Sequence, residues 1–582
     1  MPAIVVAVTV LATFALGYLY YSRYLANRVY GLDTDFITPA HRFNDGVDFV
    51  PTNKHVVFGH HFTSVAGAAP IVGPAIAVFW GWGPALLWIV LGTIFAAGAH
   101  DLGAIAVSMR HKAKSIGTLA KEVVSKRARA LFLLIIFFLL TLVNAVFAVV
   151  ISNLLVANPG AVIPIFVEIP LAIAIGQYIY RKRTAALVPS IVGVIGLYLL
   201  IWVGNLYPVD ITPLADGLGF AQPRDLWIII LFVYTFIAAR LPVWVLLQPR
   251  DYINSHQLFI ALGIIFAGVL VGMNTIVAPM FNDVPDGSPS IFPFLFITVA
   301  CGAISGFHAL VSSGTTAKQI DREPDARYVG YMGALGEGSL AMGSVLAVTA
   351  GVVATQVEWH ALYPDFATAS GGATNNFVNG VAAFAANLGI PLDLAIIFAA
   401  VVVISFAATT MDTGIRLQRY VVQEIAEIVR WRPVARNLTL ASLIAVAVPL
   451  AMALLPGGGE AGYTFGVLWQ LFGTTNQLTA GLALAVIAVW VTKRRRNPTV
   501  ILVPLVFLLV MTSWALIVNL INFIEASEWV LAPLDGIIFI LAMWLIVEAA
   551  IALRSAYRSR MVDPSTDSDD DTPVAAESTE TP

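Results

Sequence analysis

The 582-residue sequence contains little charge and a single cysteine. Charged residues make up 12% of the chain and hydrophobic residues 59%, whereas soluble domains carry about a quarter charged residues. This composition excludes an ordinary soluble protein. The lone Cys301 excludes an intramolecular disulfide and a thiolate metal cluster. What the chain does have is a series of hydrophobic blocks, each long enough to cross about 30 Å of hydrocarbon.

These blocks predict an all-α polytopic membrane protein with about 15 transmembrane helices, since β-barrel strands would be short and alternating. The predicted spans are 3–22, 61–80, 84–108, 130–156, 161–180, 186–206, 225–247, 257–280, 291–312, 329–354, 391–413, 435–455, 462–492, 498–523 and 532–554. Residues 374–390 are too short to cross alone, and we predict an interfacial or re-entrant segment there.

The basic residues indicate the orientation of the spans. Every Lys and Arg except Arg224 and Arg240 lies in connections on one face of this topology. The positive-inside rule makes that face cytoplasmic, which places the N-terminus outside and the C-terminus inside the cell. The predicted location is therefore the inner, or cytoplasmic, membrane.

Two short segments match each other across the chain. GHHFTSVAG (59–67) and GFHALVSSG (306–314) both fit Gly-x-His-x5-Gly. In the predicted topology they run in opposite directions, which is typical of the paired broken helices of inverted-repeat transporters. The alternative is that their small residues only allow close helix packing. The predicted units are 1–58 (first helix and cytoplasmic loop), 59–290 (first repeat), 291–555 (second repeat) and 556–582 (acidic disordered tail).

Four longer segments resemble the carbon starvation protein A (CstA) family and occur in family order. They are GHHFTSVAGAAPIVGPAIAVFWGWGPALLWIVLGTIFAAGAHDLGAIAVSMRHKAKSIG (59–117), SGFHALVSSGTTAKQI (305–320), TTMDTGIRLQRYVVQE (409–424) and WQLFGTTNQLTAGLAL (469–484). The resemblance implies a secondary transporter related to the amino acid–polyamine–organocation superfamily, with a LeuT-like or similar inverted repeat. It also implies peptides or pyruvate as cargo during nutrient limitation, with proton coupling. The acidic tail is not part of the family pattern.

Candidate substrate-binding residues follow from the carboxylate that both kinds of cargo carry. Unwound half-helix ends offer free N–H groups to an anion, and the guanidinium of Arg240, placed within a span, can bind a carboxylate in bidentate fashion. A structural ion pair with Glu337 or Asp101 is the alternative for Arg240. The candidates are His60, His61, Thr63, Ser64, Gly67, Arg240, His308, Ser312, Ser313, Gly314, Asn476 and Gln477.

Candidate coupling or gating residues are the titratable groups within the spans, because charge in the membrane is costly. Glu337, flanked by glycines, is the first choice as proton carrier, and His100, Asp101 and Asp412 are predicted to serve an inner gate or relay. Helix capping and surface ion pairs are equally compatible with Asp412. We expect H⁺ coupling ahead of Na⁺ coupling and no cofactor.

Two other classes of function are alternatives to a transporter. A membrane-embedded metalloenzyme would need a metal site built on His60, His61, His100 and Asp101, but neighbouring histidines point in different directions on a helix. A nutrient sensor would need an output domain, and the sequence shows none. The basic loops are short, so nucleic acid is not an expected partner. The expected partners are a small-molecule substrate and the lipid bilayer, with the oligomeric state left open.

Overall fold

The computed structural model describes residues 1–46, 48–182, 186–242, 244–455 and 465–562. Within these ranges the chain is helical and forms no β-strand, only isolated bridges between Pro2 and Thr275 and between Thr52 and Ile320. The all-α prediction is confirmed.

The principal helices of the first half are α1 Ala3–Tyr30, α2 Lys54–Val65, α3 Ala69–Trp80, α4 Trp82–Arg110, α5 Ile116–Val123, α6 Lys126–Ala157, α7 Pro159–Lys182, α8 Leu187–Leu206, α9 Pro223–Ala238 and α10 Leu247–Gly272. Those of the second half are α11 Ile291–Thr298, α12 Ala300–Ala303, α13 Gly306–Gly314, α14 Arg327–Gly351, α15 Phe366–Asn387, α16 Leu392–Ile428, α17 Leu438–Ala453, α18 Phe465–Lys493, α19 Thr499–Glu525 and α20 Leu531–Val562. Short helices occur at Pro39–Arg42, Thr212–Gly217, Gln356–Leu362 and Arg432–Arg436.

Eleven helices of the described residues are long and apolar enough to cross a membrane, or twelve if the bent pair α2–α3 is one span. The predicted count of about 15 is therefore not confirmed. Two of the predicted spans, α9 and α17, are only 16 residues long, and the predicted span 291–312 is divided into α11, α12 and α13.

The segment 374–390 differs from its prediction. Its residues 374–387 belong to α15, a 22-residue helix that begins at Phe366 and packs against α3, α10, α14 and α16. A Cβ atom on Gly380 would lie 2.2 Å from the carbonyl oxygen of Ala347, so the backbones of α15 and α14 are in direct contact at this glycine. Hydropathy missed the first half of α15 because small and polar residues, Ala367 to Thr374, form its first turns.

The core of the bundle is formed by α6, α16 and α18. The whole apolar window of α18 is buried, against 17% of the window in α20, so α19 and α20 lie at the periphery. α20 extends to Val562, which places the start of the predicted tail 556–582 within a helix. The remainder of that tail lies outside the described residues.

The basic connections contact one another at one end of the bundle. Arg110 binds both carboxylate oxygens of Glu323 at 2.6 and 2.7 Å, and Lys493 donates to the carbonyl oxygen of Val123. Arg496 likewise donates to the carbonyl oxygen of Asn27. The connections 23–60, 109–129, 313–328 and 493–497 thus share one end of the structure. That this end is cytoplasmic stays a prediction.

Candidate functional site

The first matching segment is a broken helix. α2 ends at Val65, α3 begins at Ala69, and their axes are bent by 49°. Gly67 lies in the break, where a Cβ atom would be 2.5 Å from the hydroxyl oxygen of Thr410. A side chain at this position would push α16 away. The hydroxyl of Thr63 donates to the carbonyl of Gly59 within α2, and Ser64 is buried.

The second matching segment is also broken. Ile304 and Ser305 adopt extended backbone, with ψ values of 131° and 130°, between α12 and α13. The side-chain oxygen of Asn476, on α18, accepts hydrogen bonds from the N–H of Phe307 at 3.0 Å and from the hydroxyl of Ser305 at 3.3 Å. Asn476 therefore satisfies a free amide at the start of α13, and it acts as a bridge between helices.

Gly306 is expected to be essential for this bridge. A Cβ atom there would lie 2.4 Å from the carbonyl oxygen of Asn476 and 2.7 Å from the N atom of Ala480, so Gly306→Ala must displace backbone. We expect a loss of about 1–3 kcal/mol, measured as a lower unfolding temperature in detergent. Gly314→Ala is the matched control, since nothing lies within 4 Å of a Cβ there. Equal unfolding temperatures for the two variants would contradict this account.

The two broken segments run antiparallel. The indole N–H of Trp80 donates to the carbonyl of Pro289, at one end of the pair. Gly73 faces the carbonyl of Thr298, and His61 Nδ1 lies 2.9 Å from the hydroxyl of Thr316. As residue numbers rise along the first segment from 61 through 73 to 80, the numbers of the contacted residues fall along the second from 316 through 298 to 289. The opposite directions expected of an inverted pair are therefore present in the contacts.

A buried chain of acidic and imidazole groups lies beside the second break. His308 Nδ1 is 2.8 Å from Asp101 Oδ2, and His308 Nε2 is 3.1 Å from Glu337 Oε2. His100 Nδ1 is 2.7 Å from Asp101 Oδ1. All four side chains are at most 2% exposed. The chain, hereafter the Glu337–His100 relay, joins α14, α13 and α4. Asp101 is at hydrogen-bond distance from both histidines, whereas His308 and Glu337 are at ion-pair distance.

The metal site weighed from the sequence does not assemble. His60 Nδ1 lies 3.3 Å from Asp251 Oδ2 and His61 faces Thr316, so neither joins His100 and Asp101. Each oxygen of Asp101 is at hydrogen-bond distance from a histidine nitrogen. In the part of the chain that the structure describes, no group of three or more His, Cys, Asp or Glu residues is placed to hold a metal ion.

A second buried cluster surrounds Arg250 on α10. Its NH1 group lies 2.7 Å from Asp412 Oδ2 and donates to the hydroxyl of Tyr234, which itself donates to Asp412. Its Nε atom lies 3.8 Å from Glu168 Oε1. Asp412 is thus a buried ion-pair member, 2% exposed, rather than a helix cap or a surface residue.

Sequence reasoning missed Arg250 because it assigned 248–256 to a cytoplasmic loop. In the structure these residues form the first turns of α10, and Arg250 is 1% exposed. A signal was present, since this connection contains only one basic residue and an adjacent Asp251. Opposite charges next to each other before an apolar run are compatible with a buried pair.

Arg240 does not occupy the place predicted for it. α9 ends at Ala238, because Pro242 disfavours helical backbone at the residue before it. Arg240 is exposed, and its guanidinium lies 5.4 Å from the centre of the Phe236 ring. The alternative considered for Arg240, an ion pair with Glu337 or Asp101, is absent from the described residues, and substrate binding by Arg240 stays a prediction.

A cavity of about 570 Å³ opens between the two halves of the chain. His60, Gly314, Thr315, Thr413 and Arg416 line it. This volume is in the usual range for small-ligand sites, about 300–1,000 Å³. Lys318 and Gln319, which follow the second segment, also line the cavity and place it toward the basic end of the bundle.

Arg416 is a cation in the wall of this cavity. One of its terminal amino groups, NH2, donates to the carbonyl oxygens of Ala238 and Leu241 at 3.0 and 2.7 Å. Among the described residues it has no carboxylate partner within 4 Å, and its Nε atom has no hydrogen-bond partner. The carbonyls hold the guanidinium in place without neutralising its charge. Its charge is therefore available to attract a carboxylate in the cavity.

The remaining candidates lie away from the cavity wall. The hydroxyl of Ser313 donates to the carbonyl of Ala309 and accepts from the N–H of Ile116, so it joins α13 to α5. Ser312 and Gln477 are fully buried, and their side chains have no hydrogen-bond partner within the described ranges.

Comparison with known proteins identifies the family of the chain. The family described as Carbon starvation protein CstA matches residues 2–367 and 360–515. The chain belongs to this family. Peptide transporter CstA of Campylobacter jejuni is 34% identical over 90% of this chain and 81% of its own length. Peptide transporter CstA of Bacillus subtilis is 32% identical over 95% and 97%, and Pyruvate/proton symporter BtsT of Escherichia coli is 30% identical over 88% and 81%.

One solved structure shows the same fold at low identity. The crystal structure of a manganese transporter of Eremococcus coleocola aligns with a TM-score of 0.53 and 10% identity, over 88% of this chain and 99% of that one. The likeness concerns the fold alone. Family, relatives and helical architecture together make this CstA-family chain a multi-pass membrane transporter and not an enzyme.

Proposed function

We propose that this CstA-family protein is a secondary active transporter that imports small carboxylate-bearing nutrients, peptides or pyruvate, with protons in the carbon starvation response. The observation that carries the proposal is the Glu337–His100 relay, because it meets the second broken helix at His308. The relatives named for peptide transport and for pyruvate/proton symport support both the cargo and the coupling ion.

The cargo would bind in the cavity between the two halves of the chain, which His60 of α2 and Gly314 of α13 help to line. Arg416 supplies a fixed cation, and Thr315 and Thr413 supply hydroxyl groups. His60 lies in the same wall and can hydrogen-bond a carboxylate. Alternating access would then follow from movement of one inverted repeat against the other around this site. In this proposal the basic end of the bundle is cytoplasmic and the N-terminus is outside the cell, in the inner membrane.

Coupling would arise where the relay contacts the break. His308 belongs to α13, so a change in the charge of Glu337 or Asp101 acts directly on the half-helix beside the cargo. A protonated Glu337 would donate a hydrogen bond instead of attracting a charged imidazole. Proton binding and helix position are thereby linked through one side chain.

Uptake into proteoliposomes tests the proposal. The purified protein is reconstituted, the membrane potential is clamped at zero, and labelled pyruvate and alanyl-alanine are supplied under an inward H⁺ or Na⁺ gradient. We expect accumulation of one of these compounds by at least about tenfold for each unit of pH difference, since one pH unit is worth about 1.36 kcal/mol per proton. Accumulation driven only by Na⁺ would replace proton coupling with sodium coupling. Absence of gradient-driven uptake of either compound would refute the proposal.

A further inference from the structure

The cluster around Arg250 contains more acid than base. Glu168, Asp251 and Asp412 contribute three carboxyl groups, and each is at most 2% exposed. Arg250 is the one permanently charged cation within 4 Å of any of them among the described residues. The further titratable neighbours are His60, next to Asp251, and the hydroxyl of Tyr234, which donates to Asp412.

Counting charge shows that this cluster needs protons. With three ionised carboxylates, Arg250 charged and His60 neutral, the buried cluster would have a net charge of about −2. Arg416 on α16 reduces the local field, but it lies beyond ion-pair distance and its amino group binds backbone carbonyls. Uncompensated buried charge is costly and favours binding of a proton.

The hydrogen bonds lead to the same conclusion. Both oxygens of Asp251, together with Asp412 Oδ1 and Glu168 Oε1, are buried and have no hydrogen-bond donor among the described residues. The hydroxyl of Ser405 donates to the other oxygen of Glu168 at 3.3 Å. Carboxylate oxygens accept hydrogen bonds only, whereas a protonated carboxyl group also donates one. A bound proton therefore supplies a donor that the cluster otherwise lacks.

His60 connects the cluster to the cavity. Its Nδ1 atom lies 3.3 Å from Asp251 Oδ2, and its side chain is 15% exposed and lines the cavity. Imidazole can take a proton on one nitrogen and release it from the other. The next residue, His61, points in a different direction, toward Thr316. The cluster thus has its own route to the cavity, separate from the Glu337–His100 relay.

We propose that Glu168, Asp251 and Asp412 around Arg250 form a second proton-binding site, loaded and discharged through His60 and moved in each transport cycle. This site rests on the proposed function, because its proton is carried together with the same cargo. The protein then moves two protons per cargo molecule, one at each buried site.

The number of protons moved per cargo molecule can be measured from the steady-state ratio of cargo concentration inside to outside the proteoliposomes. At zero membrane potential, accumulation should rise about 100-fold per pH unit for two protons and about tenfold for one. We expect 100-fold for the unmodified chain and tenfold for Asp251→Asn, which removes one negative charge from the cluster. Glu525→Gln, at an exposed position in the last turn of α19, is the matched control and should keep the 100-fold dependence. A tenfold dependence in the unmodified chain, or an unchanged one in Asp251→Asn, would overturn the second site.

Infrared spectroscopy tests the site without transport. The purified full chain in lipid is titrated with pH, and the carbonyl stretch of protonated carboxyl groups is followed. We expect Asp251→Asn and Glu168→Gln each to lose a band that Glu525→Gln retains. If the bands are identical in all variants, the site does not exist. If the bands differ as expected but no gradient drives uptake, the proposed function fails while the proton site stands. Glu168→Gln serves where Asp251→Asn does not yield a folded protein.

Discussion

Replacing Glu337 with glutamine is expected to lower proton-driven accumulation about 100-fold at a pH difference of two units. Glutamine keeps the size and hydrogen-bonding capacity of a protonated glutamate but cannot release a proton. The variant therefore loses one coupled proton per cycle, and each lost proton removes a factor of about ten per pH unit. Exchange of labelled for unlabelled cargo at equal pH should continue, because the cavity residues are unchanged. The measurement is accumulation and exchange in the same proteoliposomes.

Two further variants make this test specific to proton release. Glu337→Asp retains an ionisable group within reach of His308 and should keep part of the pH dependence. Glu525→Gln changes a carboxylate at an exposed position and should behave as the unmodified chain. If Glu337→Gln accumulates cargo as strongly as Glu525→Gln does, Glu337 does not carry a coupled proton.

The broken helices could be predicted from the sequence because their causes are local. Gly67 and Gly306 each occupy a position where a Cβ atom would contact a neighbouring helix closely. The shared spacing does not explain the breaks, because the equivalent glycines, Gly314 and Gly59, meet no atom closer than 3.5 Å. The glycine content of both segments indicated the breaks, and the basic loops indicated opposite directions. The contacts from Trp80–Pro289 to His61–Thr316 agree with both inferences.

The partners of the buried charges could not be predicted from the sequence. His308 meets Asp101 across 207 positions, and Arg250 meets Asp412 across 162. No local sequence pattern can predict contacts between residues so far apart in the chain, because these contacts depend on how α4, α10, α13 and α16 pack. Hydropathy also assigned Arg250 to a loop, since one arginine followed by an aspartate lowers the apolar signal at the start of α10.

The arginine in the cavity was missed for a related reason. Sequence reasoning selected Arg240 because it lay within a hydrophobic block, and it counted Arg416 as a charge of the cytoplasmic loop 414–436. In the structure α16 continues through this loop to Ile428, whereas α9 stops before Arg240. Arg416 faces the cavity because α16 continues beyond its apolar part, and Arg240 does not because α9 ends before it.

Arg416→Ala should therefore raise the KM for cargo by about 30-fold, because truncating one partner of a hydrogen-bonded charge pair costs about 2 kcal/mol at the lower end of the usual range, and Arg416 is half-buried. Arg416→Lys should recover only part of this loss, since an ammonium group lacks the planar guanidinium that the carbonyls of Ala238 and Leu241 hold in place. Arg240→Ala is the matched control, and its KM should be unchanged because Arg240 is exposed outside the cavity. Initial uptake rates over a range of cargo concentrations separate KM from maximal rate. A larger effect at Arg240 than at Arg416 would place the cargo carboxylate outside the cavity and would require a different binding site.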